Sequence, residues 1–478
     1  MAPDEEKQAV NEIRIQPQQD YQDVVDNGGL LSRLRQMEAR MDAKLGVESE
    51  AINRKKAEDK QGYEFGLSLK QSIVITIFAS LLGGAVTGYC ATFGAATGLR
   101  QISVSRYSFG WWPNKVIATL NAIQQIGWAA VSCITGGLAL TAVADGHVNL
   151  VVGIIIIAVV ALAISFVGLN AILVYERYAW FVFFVIFMII FGEASKHADN
   201  TTGPAVKGAT LSGTVLSLLA IVYGSSASWC TMASDYYVHY PANTSRTKVF
   251  VMTTLGISIP TSIGMVAGCV VASGFNNEPD WTTAYDRGLG FLIQRVLYPR
   301  AFAKFILTLL TLSGVNTNVI AIYSASISCQ QFSRPFARVP RFIWTFICFA
   351  AILALALGGR KELNDYLVDF LSLLGYWCTS YMVILFLEHV IFRRRDFANY
   401  DLDGWNDPAR LPLGIGASVA FLLGVLVWVL GMDQTWFNAP ISRLIGDYGG
   451  DVANELCFVV TILAYIPARY LERRHFGK

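Results

Sequence analysis

Eleven long apolar stretches can be laid along this chain, and that odd count conflicts with the charges in the loops between them. A stretch of about 20 apolar residues is long enough to cross the hydrocarbon core of a bilayer. In lipid every backbone N–H and C=O must find its partner inside the protein, so such a chain folds as a bundle of spanning helices. The segments cover residues 72–91, 116–141, 148–169, 178–195, 211–229, 249–273, 301–328, 342–357, 366–390, 413–432 and 454–470. Hydrophobic residues make up 54% of the sequence and charged residues 15%. Soluble domains carry about 25% charged residues, so this composition belongs to a polytopic membrane protein. A formal net charge of +2 gives no reason to expect nucleic acid.

The loops set the orientation. Those after spans one, three, five, seven and nine hold Arg100, Arg106 and Lys115; Arg177; Arg246 and Lys248; Arg334, Arg338 and Arg341; and Arg393, Arg394, Arg395 and Arg410. The C-terminal tail adds Arg469, Arg473, Arg474 and Lys478. By contrast, 142–147 has no Lys or Arg and 433–453 has only Arg443. The three arginines at 274–300 are balanced by Glu278, Asp280 and Asp286. Short cytoplasmic loops carry the excess of Lys and Arg, which puts the odd-numbered loops and the C-terminus in the cytoplasm. One glycosylation sequon, at Asn200, falls outside by this assignment and another, at Asn243, inside.

Eleven spans with a cytoplasmic C-terminus force the N-terminus outside. Yet residues 1–66 are polar and highly charged, with no secretory signal. Leu30, Leu34, Met37, Met41 and Leu45 recur there at helical spacing, as in a short surface helix. A twelfth span before Ser72 would remove the conflict, but 51–70 reads AINRKKAEDKQGYEFGLSLK. The sequence therefore predicts that one span is missing. Eight cysteines lie singly in apolar runs without a CxxC pair, and the five histidines sit at span ends, in loops or in the tail. Neither a metal site nor a disulfide framework is expected.

From about Phe65 to its end the chain resembles the fungal purine–cytosine permeases of the nucleobase–cation symporter-1 family. The resemblance rests on FGLSLKQS at 65–72, ATFGAATGLRQISVSRYSFGWWPNK at 91–115, LNAIQQIGWAAVSCITGGLAL at 120–140, YERYAW at 175–180 and SWCTMASDYYVHYP at 228–241. It implies an all-α fold of the LeuT type: two inverted five-helix repeats and two further C-terminal helices, around a midplane site lined by broken helices. On that plan 1–66 is a cytoplasmic-type tail, 67–432 the transporter core with the first accessory helix, and 433–478 the last helix and tail. In the family FGL-x-LK closes the first span and opens the second. Here RKKAEDKQGYE stands where the first would be, which agrees with the charge count.

Gly224-Ser225-Ser226 interrupts the fifth span just ahead of Trp229 and is read as the helix break. A flat heteroaromatic ring gains most from stacking on rigid aromatic faces, so Trp128 and Trp229 are the expected substrate contacts. Both match family positions that line the site. One turn after the first tryptophan, relatives often present Asn or Gln; this chain has Ser132, with Gln124 and Gln125 one turn before. LSGVNTNVIAIY at 312–323 matches a helix that typically carries paired Asn, a Pro and a further Asn. Asn316, Thr317 and Asn318 remain site candidates, while Ile320 and Ala321 replace the Pro and last Asn. Glu176 is a candidate to carry or gate a proton, and Asp235 to cap or gate the cytoplasmic end of the broken helix.

The resemblance implies a plasma-membrane importer of purines or cytosine, or of another flat heterocycle such as pyridoxine. It would work by alternating access with H⁺, or else Na⁺, as coupling ion, and with no cofactor. The spans hold no cluster of His, Asp and Glu as an intramembrane enzyme would need. An inactive truncated product or a non-transporting sensor is the reading that the missing span would favour. The sequence predicts poor transport by this chain and good transport once about 35–40 residues, enough for one span and its turn, are restored before Phe65. Side-by-side uptake at matched surface expression checks it; equal transport by the two forms would contradict it.

Overall fold

The computed structural model describes residues 66–166 and 169–477, with the backbone alone at 169–177, 334 and 364. The tail helix and the missing-span expectation fall on residues outside these. Eleven long helices answer the eleven apolar stretches: α1 (Leu69–Thr97), α2 (Asn114–Val143), α3 (Leu150–Ser165), α4 (Leu169–Ser195), α5 (Gly208–Ala227), α6 (Arg246–Ser273), α7 (Arg300–Gln331), α8 (Arg341–Gly359), α9 (Leu363–Leu387), α10 (Ile415–Gly431) and α11 (Ala453–Phe476). Eight are long and apolar enough to cross a membrane, and α3 and α10 are shorter apolar helices. Their starts follow local chemistry. Ser68 and Gln71 form a reciprocal capping box before α1, and Asn149 caps α3.

Two sequence expectations change. Arg177 lies within α4 rather than in a loop between two spans, because the helix begins at Leu169. The 274–300 loop is largely helical, with short amphipathic segments at Pro279–Arg287 and Leu289–Val296 that seat Trp281 in the core.

Helices five apart in the chain pack on each other: α1 on α6, α2 on α7 and α3 on α8. That offset is the signature of two five-helix units related by a pseudo-two-fold axis, and it confirms the inverted-repeat architecture. Small residues make the contacts close, as membrane helices require in the absence of a hydrophobic drive between them. On α1, Gly84 and Gly88 face the α6 backbone so tightly that a Cβ would lie 2.9 Å from Thr254 O and 2.8 Å from Phe250 O. Ser258 of α6 donates to Ser80 O at 3.0 Å in the same seam. Outside the seams Val74, Ile77, Phe78, Leu422 and Leu463 remain exposed, the surface a bilayer covers.

The pair α10–α11 is clasped to α9 by buried charge. Glu388, just past α9, is 1% exposed and accepts from Arg469 Nε at 3.0 Å and Nη2 at 3.1 Å, from Tyr465 at 2.8 Å and from Arg393 Nε at 3.0 Å. Glu472 pairs with Arg469 at 3.3 Å and accepts the N–H groups of Gly414 at 2.8 Å and Gly416 at 3.0 Å, neutralising the start of α10. A buried carboxylate is tolerable when charge and hydrogen bonds match it on every side, as here.

Candidate functional site

Helix α5 stays α-helical through Ala227, tightens into a 3-10 turn at Ser228–Thr231, kinks at Met232 (φ −132°, ψ 2°) and resumes as a second 3-10 turn at Ala233–Tyr236. The break therefore begins at Ser228, two residues beyond Gly224-Ser225-Ser226, the point expected from sequence. Gly224 serves another purpose: a Cβ there would lie 1.9 Å from Leu371 O, so only glycine lets α5 lie against the α9 backbone. Ser225 O accepts from Ser228 Oγ at 3.0 Å, within the last turn before the break.

Breaking a helix in lipid strands its N–H and C=O groups, and neighbouring side chains take them up. Thr87 of α1 donates to Ser226 O at 2.8 Å, and Gln124 of α2 donates to Ser228 O at 2.7 Å and to Thr231 Oγ1 at 2.9 Å. Thr231 in turn donates to Asn121 at 2.7 Å, whose amide donates to Ser328 of α7 at 2.8 Å and accepts from Gln125 at 3.3 Å. Three helices thus meet the break through one buried polar network. Gln124 and Gln125 commit their amide N–H groups to this network. The sequence reading singled out those two glutamines but passed over Asn121, Thr231, Thr87 and Ser328. Asn121 and Gln125 stand four apart on one helix face, a spacing that could have found the first of them.

Trp128 lies one turn along α2 from Gln124, and Trp229 adjoins Ser228, so both indoles arise at the α2–α5 contact. Trp128 meets Phe370 of α9 edge to face, centroids 5.8 Å apart, and is half-buried. Trp229 is half-buried, with neither a ring nor a hydrogen-bond partner among the described residues. Ser132 donates to Trp128 O at 2.9 Å within its own helix. Across from it α7 runs unbroken through 316–318. Among the described residues Asn316 is half-buried with no hydrogen-bond partner, Thr317 donates to Ser313 O at 3.2 Å, and Asn318 is fully buried, donating to Cys133 Sγ at 2.6 Å while its Oδ1 has no partner. A buried amide oxygen left unpaired costs about 1–3 kcal/mol and marks a place where something else can donate. Glu176 belongs to α4, but its side chain is outside the described residues.

The inner end of the break is held separately. Asp235 accepts from Gln101 N at 2.8 Å and pairs with Arg100 at 3.7 Å; Gln101 Oε1 accepts from Ser234 N at 3.2 Å, and its Nε2 donates to Tyr381 Oη of α9 at 3.0 Å. Burial pushes the Asp235 carboxyl up to about 6, against the pull of its Gln101 and Arg100 partners. Among the described residues no three His, Cys, Asp or Glu side chains converge as metal ligands.

A bundle of inverted repeats with a polar break beside two tryptophans is a multi-pass membrane transporter. Residues 60–442 match the family of permeases for cytosine/purines, uracil, thiamine and allantoin, and the chain belongs to that family. A purine-cytosine permease of Saccharomyces cerevisiae is 36% identical over 419 residues, spanning 87% of this chain and 79% of its own. One from Emericella nidulans is 34% identical over 420 residues, covering 87% and 81%. A vitamin B6 transporter of Saccharomyces cerevisiae is 30% identical over 465 residues, covering 87% and 80%. The fold is that of the nucleobase-cation-symport-1 transporter Mhp1 in its closed conformation with bromovinylhydantoin bound, with a TM-score of 0.62, 17% identity, and coverage of 86% of this chain and 87% of that one.

Replacing Gly224 by Ala must part α5 from α9 and should cost about 1–3 kcal/mol, as overpacking does. Thermal unfolding of the purified chain checks it, with Gly203→Ala, where nothing lies within 4 Å, as the neutral control. Equal stability of the two variants would contradict the close-approach reading.

Proposed function

We propose that this chain imports a purine or cytosine across the plasma membrane by proton-coupled alternating access, with its C-terminus in the cytoplasm. The observation that carries this reading is the hydrogen-bonded break of α5, which contains Trp229 and is met by Gln124 one turn from Trp128. The base stacks on the two indoles, and Asn316, Asn318 Oδ1 and the backbone near Ser225 and Ser228 answer its polar edge. Gln124, Gln125 and Ser132 shape the pocket wall, two through the network and one through its own helix. Asp235, with Gln101 and Arg100, closes the cytoplasmic end, and Glu176 is retained as a proton carrier. The relatives named as purine-cytosine permeases support the substrate class, and the positive-inside pattern supports the orientation.

Uptake of labelled cytosine into cells lacking their own permeases tests this. Cytosine and adenine should compete and pyridoxine should not. Uptake should rise as external pH falls and collapse with a protonophore. Base–aromatic stacking is worth about 1–3 kcal/mol per face, so Trp128→Ala or Trp229→Ala should raise the apparent KM by about 5- to 150-fold. Unchanged affinity in either variant contradicts the stacking, and uptake that tracks sodium at fixed pH contradicts the coupling.

A further inference from the structure

Two of the buried carboxylates among the described residues are treated in opposite ways. Glu388 is met by two arginines, whereas Asp451, also 1% exposed, has no cation within ion-pair distance among the described residues. Asp451 lies between the outer ends of α10 and α11, where its Oδ2 accepts from Tyr376 Oη of α9 and from Asp433 N at 3.4 Å, and its Oδ1 accepts from Ala453 N at 3.1 Å. Asp451 N donates to Ser217 Oγ of α5 at 3.2 Å. The charged groups nearby are acidic. Glu455 stands on the first turn of α11, Asp433 on the short ribbon after α10, bonded to Ser217 at 3.3 Å, and Asp369 on α9, bonded to Thr435. Asp447 is tied to Thr210 of α5, and Arg443, on the intervening 3-10 turn, is exposed. Burial, with Glu455 adding to it, lifts the Asp451 carboxyl to about 7, and the Tyr376 hydrogen bond only partly offsets it.

The hydrogen bonds fit both charge states. With Asp451 ionised, Tyr376 donates to it and accepts from Gln434 Nε2 at 2.6 Å. This leaves Gln434 Oε1 buried and without a partner, although Gln434 is only 6% exposed. With Asp451 protonated, its O–H donates to Tyr376 Oη, the tyrosine proton turns to Gln434, and a flip of that amide supplies Oε1 as acceptor. One proton enters from water, no other covalent bond changes, and the flipped amide gives up its Nε2 hydrogen bond to Asp433 O. A second polar chain runs one turn along, from Asn454 of α11 through Thr379 of α9 at 3.1 Å to Tyr223 of α5 at 2.9 Å. The α9 segment so held carries Leu371 on the face against Gly224.

We infer that Asp451 is a proton-binding carboxylate, and that its charge state sets how firmly α9 is latched to the outer ends of α5 and α11. The inference rests on the proton-coupled import reading for its direction, since the loop then faces outside. An acid whose folded pKa is raised binds its proton in the folded chain alone between about pH 4 and 7. The latch is therefore firmest below that window, loosens as pH rises through it, and changes no further above.

Two measurements on the full chain test this. In the first, thermal unfolding in lipid nanodiscs is followed from pH 5 to 8.5. The wild-type midpoint should fall with rising pH, Asp451→Asn should lose that slope, and Tyr376→Phe should move its inflection up by about one pH unit, because a bond favouring the ionised form is gone. In the second, cytosine uptake should drop about tenfold between external pH 5.5 and 8 in the wild type, the ratio expected for one group titrating near 7. It should vary less than twofold in Asp451→Asn. Wild-type slopes in both variants and both assays would overturn the inference while leaving proton coupling intact. Uptake indifferent to pH and protonophore, with the stability titration present and abolished by Asp451→Asn, would support the proton site and refute the coupling. If Asp451→Asn does not fold, the inflection in Tyr376→Phe decides.

Discussion

A helix that stops inside a membrane must hand its free backbone groups to something, and everything else in this bundle is arranged around that handover at 226–236. Water cannot reach those groups from lipid, so Thr87, Gln124 and Gln101 supply what the helix no longer does. Because these side chains come from α1, α2 and the segment between them, the break cannot change shape without those elements responding. The polar network running on through Asn121 to Ser328 extends that dependence to α7. One set of hydrogen bonds thus satisfies the break and ties three helices together, in a medium where each unsatisfied polar group is costly.

Helix α9 is the second organising element, since it touches the break on one side and the α10–α11 pair on the other. At one end Glu388 binds it to α11 through matched charge. Further out Asp451 and Tyr376 bind it through a hydrogen-bond chain with no counter-cation. The clasp and the hydrogen-bond chain thus hold the two ends of α9 by different means.

Much of the architecture was legible in the sequence because lipid leaves few alternatives. Apolar length located all eleven helices, and the motifs at 91–140 and 228–241 hold the residues of the α5 break and its polar network. Errors arose where one residue type serves two purposes. Gly224-Ser225-Ser226 looked like an unwinding signal, but Gly224 is required by the approach of the Leu371 carbonyl, a contact 147 residues away that no local pattern discloses. Gln124 and Gln125 looked free to meet a ligand, yet their bonds run to Ser228, Thr231 and Asn121. Arg177 was taken for a loop residue because charge was used to end spans, whereas it lies within α4. Asp451 was passed over altogether, since a lone acid between two apolar segments reads as solvent-facing.

The account stands or falls on whether substrate engages the break itself. Hydrogen exchange of the full chain in nanodiscs, with and without saturating cytosine, reports this directly. Slowed exchange across 226–236, with the clasp around Glu388 unaffected, is the predicted result. Unchanged exchange at 226–236, with protection appearing elsewhere in the bundle, would contradict it.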